Sequence, residues 1–153
     1  MAEVGFYQLC TSPLEHALPK LLQKALDAGH RIRVVGASEG RMEALSAALW
    51  THDPASFLPH GCPRDGDAER QPIYLTAESA DGAANENAAD LVITIDGVEP
   101  VFLEGVVRYL DMFDGNDETA LAAARQRWKR RKAEDHSVSY WQQSEGGGWE
   151  KLG

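Results

Sequence analysis

Long apolar runs and a leader-like start are both missing from this sequence. No stretch approaches the roughly 20 consecutive apolar residues that a membrane-spanning helix requires, so we expect no membrane partner. Residues 1–4 lack the basic and apolar segments that open a secretory signal. The sequence therefore predicts a protein that stays in the cytoplasm.

Cysteine is equally scarce. The two cysteines, Cys10 and Cys62, form no CxxC pair and no disulfide framework, so we expect both to be reduced thiols. His52 and His60 accompany Cys62 in one predicted loop, but no zinc-finger or HExxH spacing is present. The sequence thus predicts no metal site and no cofactor, and nothing near Cys62 favours its use as a catalytic nucleophile.

Positive charge is also in short supply. A chain of 153 residues contains 15 Lys and Arg against 24 Asp and Glu, which gives a formal net charge of -9. Residues 125–132 hold six cations and no anion, and removing those six charges from -9 leaves -15 for the rest of the chain. Because this remainder repels phosphate, we expect little direct nucleic-acid binding.

Strand-like and helix-like patterns alternate along the chain. With 43% hydrophobic and 25% charged residues, the chain can form one core, so residues 1–153 are predicted to be a single domain. The alternation predicts the α/β class, as a Rossmann-like three-layer fold with a mainly parallel central sheet. The Gly-rich tail after about residue 142 is expected to be loose. Strands are predicted at 4–9, 31–35, 73–75, 90–96 and 137–141, and helices at 13–26, 38–49 and 118–133. The stretch 100–113 is ambiguous, because residues 101–103 suit a short helix and residues 106–110 suit another strand.

Local signals predict where the first two helices begin. Ser12 and Pro13 suit the N-cap and first turn of the first helix, and Ser38 suits the N-cap of the second. Pro19 removes a hydrogen bond from the first helix, so its regular part is expected to begin only about one turn earlier.

The turn at residues 36–40 lies where a nucleotide-binding α/β protein would hold phosphate, between a strand end and a helix N-terminus. It contains neither GxGxxG nor GxxxxGK[ST], and Glu39 would place a carboxylate where the phosphate belongs. An ordinary strand-to-helix turn is therefore the first interpretation. A small nucleotide-binding enzyme that uses this turn stays open as the alternative function.

Cations and apolar side chains share one face of the last predicted helix. At about 100° per residue, that face carries Leu121, Arg125, Trp128, Lys129 and Lys132. Such a face suits an acidic peptide with an apolar end, because cations pair with carboxylates and the ring takes up an apolar side chain. The opposing interpretation is that Trp128 packs into the core while the cations only complement the helix dipole.

A second aromatic stretch follows the second predicted helix. It consists of Trp50, Phe57 and Leu58, with Pro54 and Pro59 stiffening the backbone between and after them. An exposed Trp and Phe pair beside so rigid a loop would anchor a partner protein, whereas core filling is the other interpretation.

Three short motifs along the chain carry a family resemblance. They are Phe6-Tyr7, then Ala48-Leu49-Trp50 followed by Ser56-Phe57-Leu58-Pro59-His60, and finally Ala124-Arg125-Gln126-Arg127-Trp128-Lys129. In this order and spacing they resemble the chi subunit of bacterial DNA polymerase III holoenzyme, over nearly the whole chain. The resemblance implies a non-catalytic accessory protein with a Rossmann-like topology and no bound nucleotide.

The resemblance also implies two binding surfaces. Chi proteins link the clamp loader to single-stranded-DNA-binding protein by gripping that protein's acidic C-terminal tail, which ends in Pro-Phe. Arg125 and Trp128 fall on the family's tail-binding positions, with Lys129 beside them. Trp50 and Phe57 fall on positions that contact the clamp-loader partner psi or a competing helicase. By this resemblance the clamp-loader surface comprises Trp50, Phe57, Leu58 and Pro59.

This chain departs from the best-studied chi proteins at two positions of the tail-binding motif. Leu121 stands where they have a lysine, so Lys129, Lys132 or another cation must supply part of the charge. Trp128 replaces the more familiar tyrosine, which keeps a ring and loses a hydroxyl group. Residues 62–70 and the tail after Trp141 do not match the family well.

Overall fold

The computed structural model describes most of the chain, in seven stretches of residues. They are 2–51, 60–61, 71–77, 88–99, 102, 105–146 and 148–152. The elements in chain order are β1 (Glu3–Leu9), α1 (Leu14–Asp27), β2 (Ile32–Gly36), α2 (Glu39–Thr51), β3 (His60–Gly61), β4 (Ile73–Ala77), β5 (Leu91–Thr94), β6 (Arg108–Asp114), α3 (Glu118–Ala133), β7 (Ser137–Gln143) and β8 (Trp149–Lys151).

The described strands form one sheet in the order β3-β4-β2-β5-β6-β1-β7-β8. Every neighbouring pair is parallel except β7 and β8, which run antiparallel. Side chains alternate between the two faces along β6, where Leu110 and Met112 join the core cluster under α1 and α2, and Tyr109 and Phe113 join the cluster under α3. The predicted three-layer α/β fold with a mainly parallel sheet is confirmed.

Central strands of this sheet are apolar because helices cover both of their faces. β5 is buried along its whole length, as its unbroken run of apolar and β-branched residues predicts for a central parallel strand. The strand alternative for residues 106–110 is confirmed in part: β6 begins at Arg108 and pairs with β5 on one side and β1 on the other.

The helix starts confirm one predicted cap and correct another. Ser38 caps α2, because its Oγ accepts a hydrogen bond from the Arg41 backbone N–H at 3.1 Å. The Ser12 prediction is wrong: α1 has Pro13 at its N-cap without a side-chain cap bond. Ser12 Oγ instead accepts from Gln143 Nε2 at 2.7 Å, a partner contributed by the end of β7.

The tail after residue 142, which the sequence predicts to be loose, contains a strand in the structure. β7 continues to Gln143, and β8 then pairs back against it. The aromatic rings of this hairpin explain the order: Trp141 stacks on Tyr7 at a centroid distance of 5.9 Å, and Trp149 meets Tyr7 edge-on at 5.0 Å. Packing these two half-buried indoles against the sheet stabilises the hairpin.

Candidate functional site

Two arginines of the basic run fasten α3 to the rest of the fold. Arg127 donates through Nε and Nη2 to the Asp111 carboxylate on β6, at 2.6 and 2.9 Å. Only 4% of the Arg127 side chain and 7% of the Asp111 side chain are exposed. Arg131 is also buried and pairs with Glu99 and Glu134. Both guanidinium groups are therefore engaged within the protein and are not available to bind a partner.

The ion pair between Arg127 and Asp111 lies in a low-dielectric setting. Burial raises the pKa of the Asp111 carboxyl group, while the hydrogen bonds and charge of Arg127 act in the opposite direction. A bidentate pair of this kind fixes the direction of both side chains as well as their separation. It therefore sets how α3 is rotated about its own axis above the sheet.

The remaining cations of the run divide into one that is paired and three that are not. Arg130 is exposed but makes an ion pair with Glu99. Arg125, Lys129 and Lys132 are all exposed, and among the residues that the structure describes no ion pair engages them. These three cations belong to the predicted face. We call them the free cations of α3.

Trp128 lies at the border between the core and the surface. Its ring is half-buried and meets two rings of the sheet edge-on, Phe6 at a centroid distance of 5.7 Å and Tyr140 at 5.6 Å. Lys132 Nζ lies 4.8 Å from the centroid of the indole, in cation–π geometry. Leu121 is half-buried too and packs against the apolar cluster under α3. Trp128 thus contributes to the core and still presents part of its ring to solvent.

Tyr140 is a member of this site that sequence reasoning missed. It lies on β7 beside Trp128, is half-buried, and donates its hydroxyl proton to Gln8 Oε1 on β1. Burial raises the pKa of Tyr140 above its usual value, while the charge of Arg125 acts in the opposite direction. The alternation of residues 137–141 predicts a strand. It does not predict that this strand lies beside β1 under α3, which is what brings Tyr140 next to Trp128.

The second predicted surface is only partly described. Trp50, at the end of α2, has 52% of its surface exposed, and its ring centroid lies 4.2 Å from that of His60. Phe57, Leu58 and Pro59 lie outside the described residues, so their predicted role stays a prediction. Because α2 and α3 cover opposite faces of the sheet, Trp50 and Trp128 are on different sides of the protein.

The turn at residues 36–40 has its own carboxylate. Asp96 accepts from the Ala37 backbone N–H at 3.2 Å and from Arg41 Nε at 3.3 Å. A Cβ on Gly36 would overlap the Met42 sulfur, so the turn is tightly packed from within. Asp96 thus adds negative charge to that of Glu39, which lies in the first turn of α2, and this charge disfavours a nucleotide there.

A crevice of about 900 Å³ opens at the carboxyl ends of β1 and β6, where the following helices pass to opposite faces of the sheet. At the turn between β1 and α1, the backbone N–H groups of Cys10, Thr11 and Ser12 all donate to Gln143 Oε1, at 3.0 to 3.1 Å. Gln143 Oε1 therefore already accepts the three backbone N–H groups that a bound phosphate would need as hydrogen-bond donors. Charged groups on the rim include Glu15, Asp96, Asp114, Asp117 and Arg41, with carboxylates in excess.

Comparison with known proteins gives consistent matches. The profile of a family described as "DNA polymerase III chi subunit, HolC" matches residues 1–139. A protein of Rickettsia prowazekii named "Probable DNA polymerase III subunit chi" is 25% identical over 113 residues, which cover 74% of this chain and 66% of that protein. "DNA polymerase III subunit chi" of Haemophilus influenzae is 25% identical over 130 residues, or 85% of this chain and 88% of that protein. The chain thus spans just under two thirds of the Rickettsia protein.

The buried ion pair generates a stability prediction. Asp111→Ala leaves the Arg127 guanidinium buried without its partner, so the free energy of unfolding should fall by about 3–5 kcal/mol. Urea-induced unfolding followed by circular dichroism measures this change. As a matched control, Asp111→Leu combined with Arg127→Met removes both charges and should regain most of the loss. If Asp111→Ala is as stable as the wild type, the pair does not hold α3 in place.

Proposed function

The chain belongs to the DNA polymerase III chi subunit family, and on that premise we propose that it is a non-catalytic replication adaptor. Its α3 face binds the acidic C-terminal tail of single-stranded-DNA-binding protein. Its Trp50 side connects that protein to the clamp loader, through psi or an equivalent subunit.

One observation supports the tail-binding role above all others. The free cations of α3, which are Arg125, Lys129 and Lys132, share a helix face with an indole that is only half-buried, and Lys132 Nζ lies over its ring. An exposed cation that no ion pair engages is available to an external carboxylate, and a partly exposed ring is available to an apolar side chain. The site so defined contains Leu121, Arg125, Trp128, Lys129 and Lys132.

An acidic peptide fits this surface better than a nucleic acid does. The basic patch is short, because Arg127 and Arg131 are buried and Arg130 is paired with Glu99. A phosphate backbone that leaves the patch would meet a body with a large excess of carboxylates. A peptide only a few residues long can make all of its contacts within the patch.

The chemistry of the tail matches the two parts of the patch. Its carboxylates pair with the free cations at the solvent-exposed rim, so binding weakens as salt rises. Its terminal Phe ring packs against the outer side of Trp128. A few rim ion pairs and one aromatic contact correspond to an affinity on the order of micromolar.

The clamp-loader connection rests on the second surface. Trp50 is exposed to an extent that is unusual for a tryptophan in a monomeric protein, and such rings are common anchors in protein interfaces. Phe57, Leu58 and Pro59 complete this surface in the proposal. Because Trp50 and Trp128 lie on different sides of the sheet, both partners can bind at once.

The nucleotide-binding alternative receives no support from the two strand-to-helix turns. The Asp96 carboxylate accepts a hydrogen bond from the backbone of the turn before α2. Gln143 Oε1 accepts hydrogen bonds from the backbone of the turn before α1. Within the described ranges, no helix is both long and apolar enough to cross a membrane. A cytoplasmic location stays a prediction.

A peptide titration tests the proposal. Isothermal calorimetry with a short acidic peptide that ends in Pro-Phe with a free carboxylate should give a dissociation constant on the order of micromolar, rising with salt. Arg125→Ala and Trp128→Ala should each weaken binding by about tenfold or more. The control is Arg130→Ala, which removes a cation of the same helix that already pairs with Glu99 and should leave binding unchanged. Retained binding in both site variants places the tail elsewhere.

A nucleotide titration separates the two candidate functions. Because carboxylate and amide oxygens already occupy both turns, ATP should give no saturable heat with the wild-type protein. Saturable binding that Trp128→Ala leaves untouched would instead favour a nucleotide-binding protein that uses residues 36–40.

A further inference from the structure

β8 brings a second apolar side chain next to the proposed tail-binding site, from a part of the chain beyond the family match at residues 1–139. The Leu152 backbone N–H donates to the Tyr140 carbonyl at 2.7 Å, which continues the register in which Trp141 pairs with Lys151. Lys151 Nζ lies over the Trp141 ring, on the side of the sheet away from α3. Since side chains alternate along a strand, Leu152 lies on the α3 side, beside Tyr140.

Three side chains therefore form an apolar strip, which we define as Trp128, Tyr140 and Leu152. The strip begins at α3 and crosses β7 and β8 toward the edge of the sheet. Trp128 and Tyr140 are half-buried, and Leu152 has 54% of its surface exposed. An exposed leucine at the end of two partly exposed rings extends the apolar contact area well beyond the indole alone.

Charge is distributed unevenly along this strip. The free cations of α3 lie at its helix end, whereas Glu150 lies on the same face of β8, opposite Gln142 in the strand pairing. A peptide with carboxylates at one end and an apolar residue at the other can satisfy this pattern in one direction only. Its acidic side chains lie over α3, away from Glu150, and its apolar end lies toward β8, where the single terminal carboxylate is the one anion of the peptide near Glu150.

We propose that Tyr140 and Leu152 form the seat for the apolar end of the acidic tail, so that β8 sets both the direction in which the tail binds and its preference for an apolar end. This inference rests on the proposed function, because it concerns the same site and the same peptide. It adds a wall to the site that the family match does not cover.

A double-mutant cycle by calorimetry tests the seat. The wild type and Leu152→Asn are each titrated with the acidic peptide ending in Phe and with the same peptide ending in Ala. Leu152→Asn should weaken binding of the Phe peptide by about five- to tenfold and binding of the Ala peptide far less, because the contact that is lost is with the Phe ring. The control is Val107→Asn, which makes the same kind of change at a 67% exposed apolar residue away from the strip and should have no effect.

Charge reversal at the far end of the strip provides a second readout that does not depend on the apolar contact. Glu150→Lys should leave the Phe peptide bound about as tightly as before or a few-fold tighter, with the gain lost at high salt. A gain of tenfold or more in Glu150→Lys would mean that the acidic side chains of the peptide, rather than its apolar end, lie over β8, and it would overturn the proposed direction.

The outcomes separate this inference from the proposed function. If Leu152→Asn binds both peptides as the wild type does while Trp128→Ala loses binding, the seat on β8 is refuted and the function stands. If the wild type binds neither peptide, both proposals fail. If Leu152→Asn leaves peptide binding intact but changes the sedimentation coefficient of the free protein, the strip is a contact between copies of this chain, which also overturns the seat.

Discussion

The display of the binding face depends on the buried ion pair between Arg127 and Asp111. α3 has few large apolar residues with which to hold the sheet, since Leu121 and Trp128 are only half-buried and Ala124 is small. A bidentate bond between a guanidinium and a carboxylate fixes the orientation of α3 about its axis, which apolar packing alone would fix only weakly. Once Arg127 points into the sheet, helical geometry places Trp128 at the border and Arg125 in solvent.

One basic segment thereby serves two purposes that its sequence does not distinguish. Arg127 and Arg131 neutralise buried or half-buried carboxylates, and Arg130 is held by Glu99. The free cations of α3 carry charge outward from a body that is strongly acidic. The local field at α3 thus differs in sign from the field of most of the protein, which favours a short anionic segment over a long anionic polymer.

Local patterns predict most of this fold, and the exceptions involve residues that are distant in the chain. Alternation of periodicities predicts the three-layer architecture, and Ser38 caps α2 because its partner is only three residues away. Ser12 fails as a cap because Gln143 takes its hydroxyl group. Tyr140 and the Leu152 seat depend on β7 lying beside β1 and on β8 returning along β7, which no local pattern specifies. The same holds for the burial of Arg127, whose partner lies on another strand.

The most direct test of the account is an NMR titration of the four tryptophan indole N–H signals with the acidic peptide. Trp128 lies among the free cations, Trp50 lies on the other side of the sheet, and Trp141 and Trp149 pack against Tyr7 on the face away from α3. Binding of the peptide to α3 should shift the Trp128 signal saturably and leave the Trp50 signal unmoved. A saturable shift of Trp50 with an unchanged Trp128 signal would contradict it.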